Sequence, residues 1–183
     1  TLLLKAIADL AADKLTLGIR RVDGQSIDLR GLAGMDGFIR SLKLKFEDSL
    51  QVYPIQSVRL PCFASIQKLK ISIGEVADFP YEDVASQIFL NDDLTQLNID
   101  ELLTGVTEFF AGLAGTFERL KVLKIKSILF EKDPTVQIAL LCQFIKRHQL
   151  LETFSFTSHC MFTPGLLALF LEALSASIKT LKN

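Results

Sequence analysis

An internal repeat constrains this chain more than any other feature. Pairs of apolar residues two positions apart recur along it: Leu17/Ile19, Leu42/Leu44, Leu69/Ile71, Leu97/Ile99, Leu123/Ile125, Phe154/Phe156, and finally Leu181 near the end. Their first members recur about every 25 to 31 residues, inside the range that marks stacked supersecondary units. Six of the seven units have another apolar residue three places upstream (Ile39, Ile66, Leu94, Leu120, Leu151, Ile178), which completes the pattern LxxLxL; the first unit has Lys14 there. Residues two apart share one face of a strand, so each unit should supply a short strand whose aliphatic pair enters a common core. No such unit can bury its apolar face alone, and stacking is what covers it.

The segments between the strands read as helices. Thr104 to Phe117 carries Val106, Phe109, Phe110, Leu113 and Phe117 at helical spacing. Pro134 to His148 and Pro164 to Ile178 each open on a first-turn proline, Thr163 is placed to cap the latter, and Tyr81 to Leu90 follows Pro80 in the same manner. Phe46 to Ser65, with Pro54 and Pro61 and little helical periodicity, is expected to be extended chain or short turns. Thr1 onward, with Leu2, Leu3, Ala6, Ile7 and Leu10, reads as an amphipathic helix. The expectation is a single α/β domain over 1–183 in which strands form one parallel sheet and helices an outer layer. A doubly wound α/β domain is the alternative, disfavoured by the regular period, the short strands and the lack of a glycine-rich phosphate loop.

On these LxxLxL segments, which span nearly the whole chain, the sequence resembles the leucine-rich repeat proteins, and the period with one helix per unit resembles the ribonuclease-inhibitor-like branch. The resemblance implies a solenoid of about seven irregular repeats, with the parallel sheet on a concave face and the helices on a convex one. The family pattern continues to an Asn or Cys at the ninth position. Here those places hold Glu47, Gly74, Leu102, Ile128 and His159, so the turns should diverge. Both ends of the stack look uncapped. Because the chain starts at Thr1 and Leu181 to Asn183 begins another unit, the domain is expected to be a fragment of a longer array, with further repeats or another domain beyond Asn183.

In such an array the positions between the strand anchors face solvent in rows. They hold Arg20 and Arg21; Arg40, Lys43 and Lys45; Lys68 and Lys70; Asp100 and Glu101; Lys121, Lys124 and Lys126; Glu152; and Lys179 and Lys182. Twelve of 20 basic residues therefore fall on one face against three of 21 acidic ones, although the net charge is only −1. The spine is Lys43, Lys70, Asn98, Lys124, Ser155 and Lys182. Lysine beside strands also serves simply to keep a surface soluble and unpaired. Crowded like charges cost stability that an acidic partner would relieve. The function expected is a scaffold or adaptor that binds an acidic partner protein through this basic concave face. Polyanions such as RNA or phosphoinositide headgroups are the alternative ligands of the same face.

No catalytic constellation competes with that reading, and neither an enzyme activity nor a cofactor is expected. His159 adjoins Cys160, but neighbours on extended chain point to opposite faces. Asp92 with Asp93, and Asp100 with Glu101, read as solvated acidic turns. Phe109, Phe110, Phe144, Phe154, Phe156, Phe162 and Phe170 read as filling between helix and sheet. Cys62, Cys142 and Cys160 are odd in number and lack CxxC spacing, which points to buried thiols. With no Asn-x-Ser/Thr acceptor and no apolar run long enough to span a bilayer, an intracellular, cytoplasmic setting is expected.

Overall fold

The computed structural model describes residues 4–11, 13–22, 26–35, 37–46, 57–60, 65–74, 76, 79–88, 93–158 and 162–177. Cys62, His159, Cys160, Lys179, Leu181 and Lys182 lie outside the described residues, and with them the seventh unit. Thirteen described elements are paired or packed around one core: β1 (Leu4–Ala11), β2 (Lys14–Val22), β3 (Ser26–Asp28), β4 (Ser41–Phe46), β5 (Ser57–Arg59), β6 (Lys68–Ile73), α1 (Tyr81–Ile88), β7 (Gln96–Leu102), α2 (Val106–Gly112), β8 (Val122–Ile128), α3 (Thr135–Arg147), β9 (Thr153–Ser158) and α4 (Pro164–Ser177). A short 3-10 helix, Arg30–Met35, follows β3.

The protein is an α/β fold built on a sheet of order β1-β2-β4-β6-β7-β8-β9, in which the last six strands are parallel and follow chain order. A doubly wound sheet reverses its order at a switch point; the described strands have no such reversal. The register is that of the repeat. Leu15, Leu42, Leu69, Leu97, Leu123 and Phe154 lie side by side, and so do Leu17, Leu44, Ile71, Ile99, Ile125 and Phe156. In the first five of these strands both members are buried, and they join the helix residues in one core.

A chain of shared backbone acceptors marks the start of each parallel strand. The carbonyl of Asp13 accepts from Arg40 and Ser41, that of Arg40 from Gln67 and Lys68, that of Gln67 from Thr95 and Gln96, that of Thr95 from Lys121 and Val122, and that of Lys121 from Glu152 and Thr153, at 2.8 to 3.1 Å. One backbone device thus satisfies two donors per unit, which is why the strand starts stay aligned although the units differ in length.

Two expectations need correction at the N-terminal end. The opening segment is a strand, not an amphipathic helix: β1 runs antiparallel to β2, with Ala11 opposite Lys14. A two-residue link favours a hairpin, and the ladder partner it offers to the edge of β2 outweighs a weak helical spacing. β1 thus lies along the outer edge of β2. The first repeat unit is also displaced. Its anchors are Leu15 and Leu17, not Leu17 and Ile19, so the step from Leu15 to Leu42 equals the next one, from Leu42 to Leu69. Leu15, Leu17 and Ile19 all point inward, and a slip of two residues keeps every side chain on its own face, so alternation alone cannot choose the pair.

The layer behind the sheet changes along the chain. Behind the first two units it consists of β3 and β5, which pair in parallel as Ser26–Ser57, Ile27–Val58 and Asp28–Arg59. Behind the later ones it consists of α1, α2, α3 and α4, packed side by side in that order. The segment 46–65 accordingly contributes extended chain at 57–59, as expected, and the rest of it apart from Phe46, Leu60 and Ser65 lies outside the described residues. The helix expected over 104–117 is shorter. Gly105, at φ 63°, starts it, and it ends at Gly112; Leu113 closes it by donating its N–H to the Phe109 carbonyl at 3.1 Å, and Leu113 and Phe117 stay buried beyond its end.

Candidate functional site

The sheet face opposite the core carries three rows of side chains in direct register. The first is Lys14, Ser41, Lys68, Gln96, Val122 and Thr153; the second is Thr16, Lys43, Lys70, Asn98, Lys124 and Ser155; the third is Gly18, Lys45, Ser72, Asp100 and Lys126. Alternation along each strand puts them there, because the anchors between them face inward. Most are half-buried or exposed, and Ser72 is the exception at 2% exposure.

Of the residues singled out from sequence, Lys43, Lys45, Lys68, Lys70, Lys124 and Lys126 are brought together on this face. Arg40 and Lys121 are exposed at equivalent places one step before their strands, where each lends its carbonyl to the next unit. Arg20 is not in the rows. The paired register of β2 with β4 ends at Ile19–Phe46, so Arg20 and Arg21 continue β2 beyond it. The displaced first anchor is the reason. It also hides Lys14, which an anchor at Leu17 would make a core position and which is exposed in the same row as Lys68. Stepping back from Leu42 by the interval that separates Leu42 from Leu69 finds Leu15, and with it Lys14.

Strand β7 departs from its neighbours in chemistry. Its outward residues are Gln96, Asn98 and Asp100, with Glu101 beside them, and none is cationic. Gln96 Nε2 donates to Asn98 Oδ1 at 3.1 Å. Lys70 forms an ion pair with Asp100 from the adjacent strand, and Ser72 donates its hydroxyl to Glu101 at 2.7 Å. Both acids therefore belong to the strand itself, which corrects their reading as a solvated turn. Lys70, Asn98, Asp100, Lys124 and Lys126, together with Ile99, line a depression of about 110 Å³.

The backbone is specifically arranged to keep Glu101 outside. After the inward Ile99 and outward Asp100, strict alternation would turn Glu101 into the core and Leu102 out. Instead Glu101 takes φ 58° and the register shifts by one, so that Leu102 is buried at 1% exposure. Strand β8 does the same at Ser127, φ 52°, which buries Ile128. Left-handed backbone at a non-glycine residue is costly and is kept only where the surroundings enforce it. Here the apolar residue that follows, Leu102 or Ile128, enforces it by entering the core.

Lys121 is paired with Glu152 at 2.8 Å across the edge of β8 and β9. Lys43, Lys68 and Lys124 have no acidic partner among the described residues. Lys43 stands directly opposite Lys70 in the ladder, an arrangement that costs stability unless a neighbour compensates, as Asp100 does for Lys70.

The residues that could have carried other chemistry are occupied structurally. His148 is 2% exposed; its Nε2 accepts from the backbone N–H of Phe117 at 3.0 Å, which leaves Nδ1 to donate to the Phe144 carbonyl at 2.6 Å. Burial holds its pKa below the ordinary value. The Cys142 thiol is buried and its pKa is raised by desolvation. Phe109, Phe110, Phe144 and Phe170 fill the core, while Phe154, Phe156 and Phe162 are half-buried around Phe170. Among the described residues no three metal-ligating side chains converge, and no helix is long and apolar enough to cross a membrane.

No protein-family model, curated protein or solved structure matches the chain in the comparisons made.

Proposed function

We propose that the chain is a leucine-rich-repeat solenoid of the ribonuclease-inhibitor-like kind, and that it works as a scaffold or adaptor which binds an acidic segment of another protein across its open sheet face. One observation carries the reading: the in-register rows bring lysines from successive units onto neighbouring strands of a face that no described element covers. The sequential strand order, the repeated acceptor chain and the side-by-side outer layer support the repeat architecture. A cationic platform flanked by buried aliphatic anchors gives long-range steering and tolerance of extended ligands. RNA is less well matched, because an aromatic stacking platform is missing from the described positions of the three rows.

The direct test is reversal of Lys43, Lys70 and Lys124 to Glu, with binding measured by fluorescence anisotropy. The probe is a fluorescein-labelled peptide of two Glu pairs flanking Gly-Lys-Gly. The wild type should bind in a salt-sensitive manner, and the folded triple variant should lose at least about tenfold in affinity. Equal binding by both would remove the proposal.

A further inference from the structure

We infer that Asp100 is a selectivity residue of this face: it splits the positive field in two, so that the face takes two separated anionic groups and disfavours an unbroken polyanion. The inference rests on the proposed role of the face in binding an acidic segment. Its source is the order of charges across the sheet. Strands β4 and β6 present Lys43, Lys45, Lys68 and Lys70, and β8 presents Lys124 and Lys126. Between them β7 presents two amides and two carboxylates.

Position matters here more than count. Asp100 stands in direct register between Ser72 and Lys126, and it holds the ammonium of Lys70. Glu101 is fixed beside it by Ser72 and by a left-handed backbone that would be unnecessary if the side chain were free to turn inward. Adjacent strands lie about 4.8 Å apart, so Lys43 and Lys124, three strands apart, are roughly 14 Å apart. An extended peptide rises about 3.4 Å per residue and presents alternate side chains to one face, so residues i and i+4 span that distance. Acidic groups at those two places meet lysines, while the residue midway meets Asn98, Asp100 and Lys70 and is best satisfied by a hydrogen-bond donor. A nucleic-acid strand has a negative charge at every backbone repeat and cannot leave the middle position uncharged.

Two substitutions and two probes test this. The probes are the Glu-pair peptide used above and a twenty-nucleotide oligouridylate, titrated at matched ionic strength. The substitutions are Asp100→Asn, which keeps shape and hydrogen bonding, and Glu152→Gln, which removes an equal charge from the exposed rim of the same face at β9. Wild type should prefer the peptide. Asp100→Asn should gain about tenfold for the oligouridylate, the effect of one charge at close range in intermediate dielectric, while Glu152→Gln should gain no more than about twofold. Equal gains in the two variants, or no gain in Asp100→Asn, would overturn the inference and leave the acidic-partner reading standing. If the wild type binds neither probe, the proposed function itself fails. Tighter wild-type binding of the oligouridylate would overturn both.

Discussion

The outer layer behind the first two units and the one behind the later units solve the same problem differently. Both cover the inward faces of strands that carry the same aliphatic register. At 26–60 the cover is a two-stranded parallel ladder whose inward residues, Ile27 and Val58, are fully buried. At 81–177 it is four helices, with Val84, Ala85, Phe109, Phe110, Leu141 and Phe144 supplying the buried contacts. The sheet register therefore does not depend on what covers it. The shared acceptor carbonyls run unbroken from Asp13 to Lys121 across both regions. What the cover decides is where the molecule is vulnerable, because helices pack through side chains and close approaches, whereas the ladder needs its edges satisfied.

The largest expected effect accordingly falls within the helical cover. At Gly112 an added Cβ would lie 2.4 Å from the carbonyl oxygen of Glu82 and 2.8 Å from Ala85 Cβ, so α1 and α2 approach too closely for any side chain. Gly112→Val should cost about 3 kcal/mol or more through overpacking against backbone. Gly165→Ala, in α4 where an added Cβ meets nothing within 4 Å, is the control and should change stability by less than about 1 kcal/mol. Chemical denaturation of both variants checks this; equal midpoints would show that the helical cover is looser than its packing implies.

The repeat and its strand faces were legible because period-two alternation and a nearly constant step between units are properties of the sequence itself. Helices at 81–88, 135–147 and 164–177 were legible for similar reasons: each begins at or just after a proline and carries apolar residues at helical spacing. Other features depend on tertiary partners. The strand β1 exists because β2 has an edge to be covered, and the register of the first unit is set by Arg40 and Ser41 bonding to Asp13. The bulges at Glu101 and Ser127 come from competition between Leu102 or Ile128 and an outward polar neighbour, which no local pattern reveals. The same limit applied to the face. Its lysines could be read from spacing, but the division of their field by Asp100 needed the cross-strand pair with Lys70.

A smaller effect is expected at the junction between the two covers. Gln87 of α1 acts as a surrogate peptide group on the free edge of β5: its Nε2 donates to the Val58 carbonyl at 2.7 Å, and its Oε1 accepts from the Leu60 N–H at 2.7 Å. Gln87→Leu would leave both backbone groups without that partner in a half-buried place and should cost about 2 kcal/mol. Gln87→Glu keeps the acceptor and loses the donor, so it should fall between the two. Hydrogen exchange at the Leu60 amide is the discriminating measurement. Faster exchange at Leu60 with unchanged protection in α3 would show that the ladder opens by itself, whereas uniform acceleration would make the two covers one cooperative unit.

The smallest effect separates the covers by pH. His148 bridges the Phe117 amide and the Phe144 carbonyl inside the helical region, and burial lowers its pKa from the ordinary 6.5. The unfolded chain therefore takes up a proton below about pH 6.5 that the native form refuses, so stability is full above that pH and declines as pH falls toward the native value. The limit is about 1.4 kcal/mol per pH unit for one proton. The ladder region has its sensitive group elsewhere. Asp28 is held at about 2 by side-chain and backbone hydrogen bonds from Arg30, so the stability that it contributes is present above 3.8 and lost between there and 2. Denaturation between about pH 7.5 and 5 should thus show a decline that His148→Gln flattens, the amide being able to keep one of the two hydrogen bonds without titrating. An equally steep decline in His148→Gln would place the sensitive group outside the helical cover and would remove this distinction between the two regions.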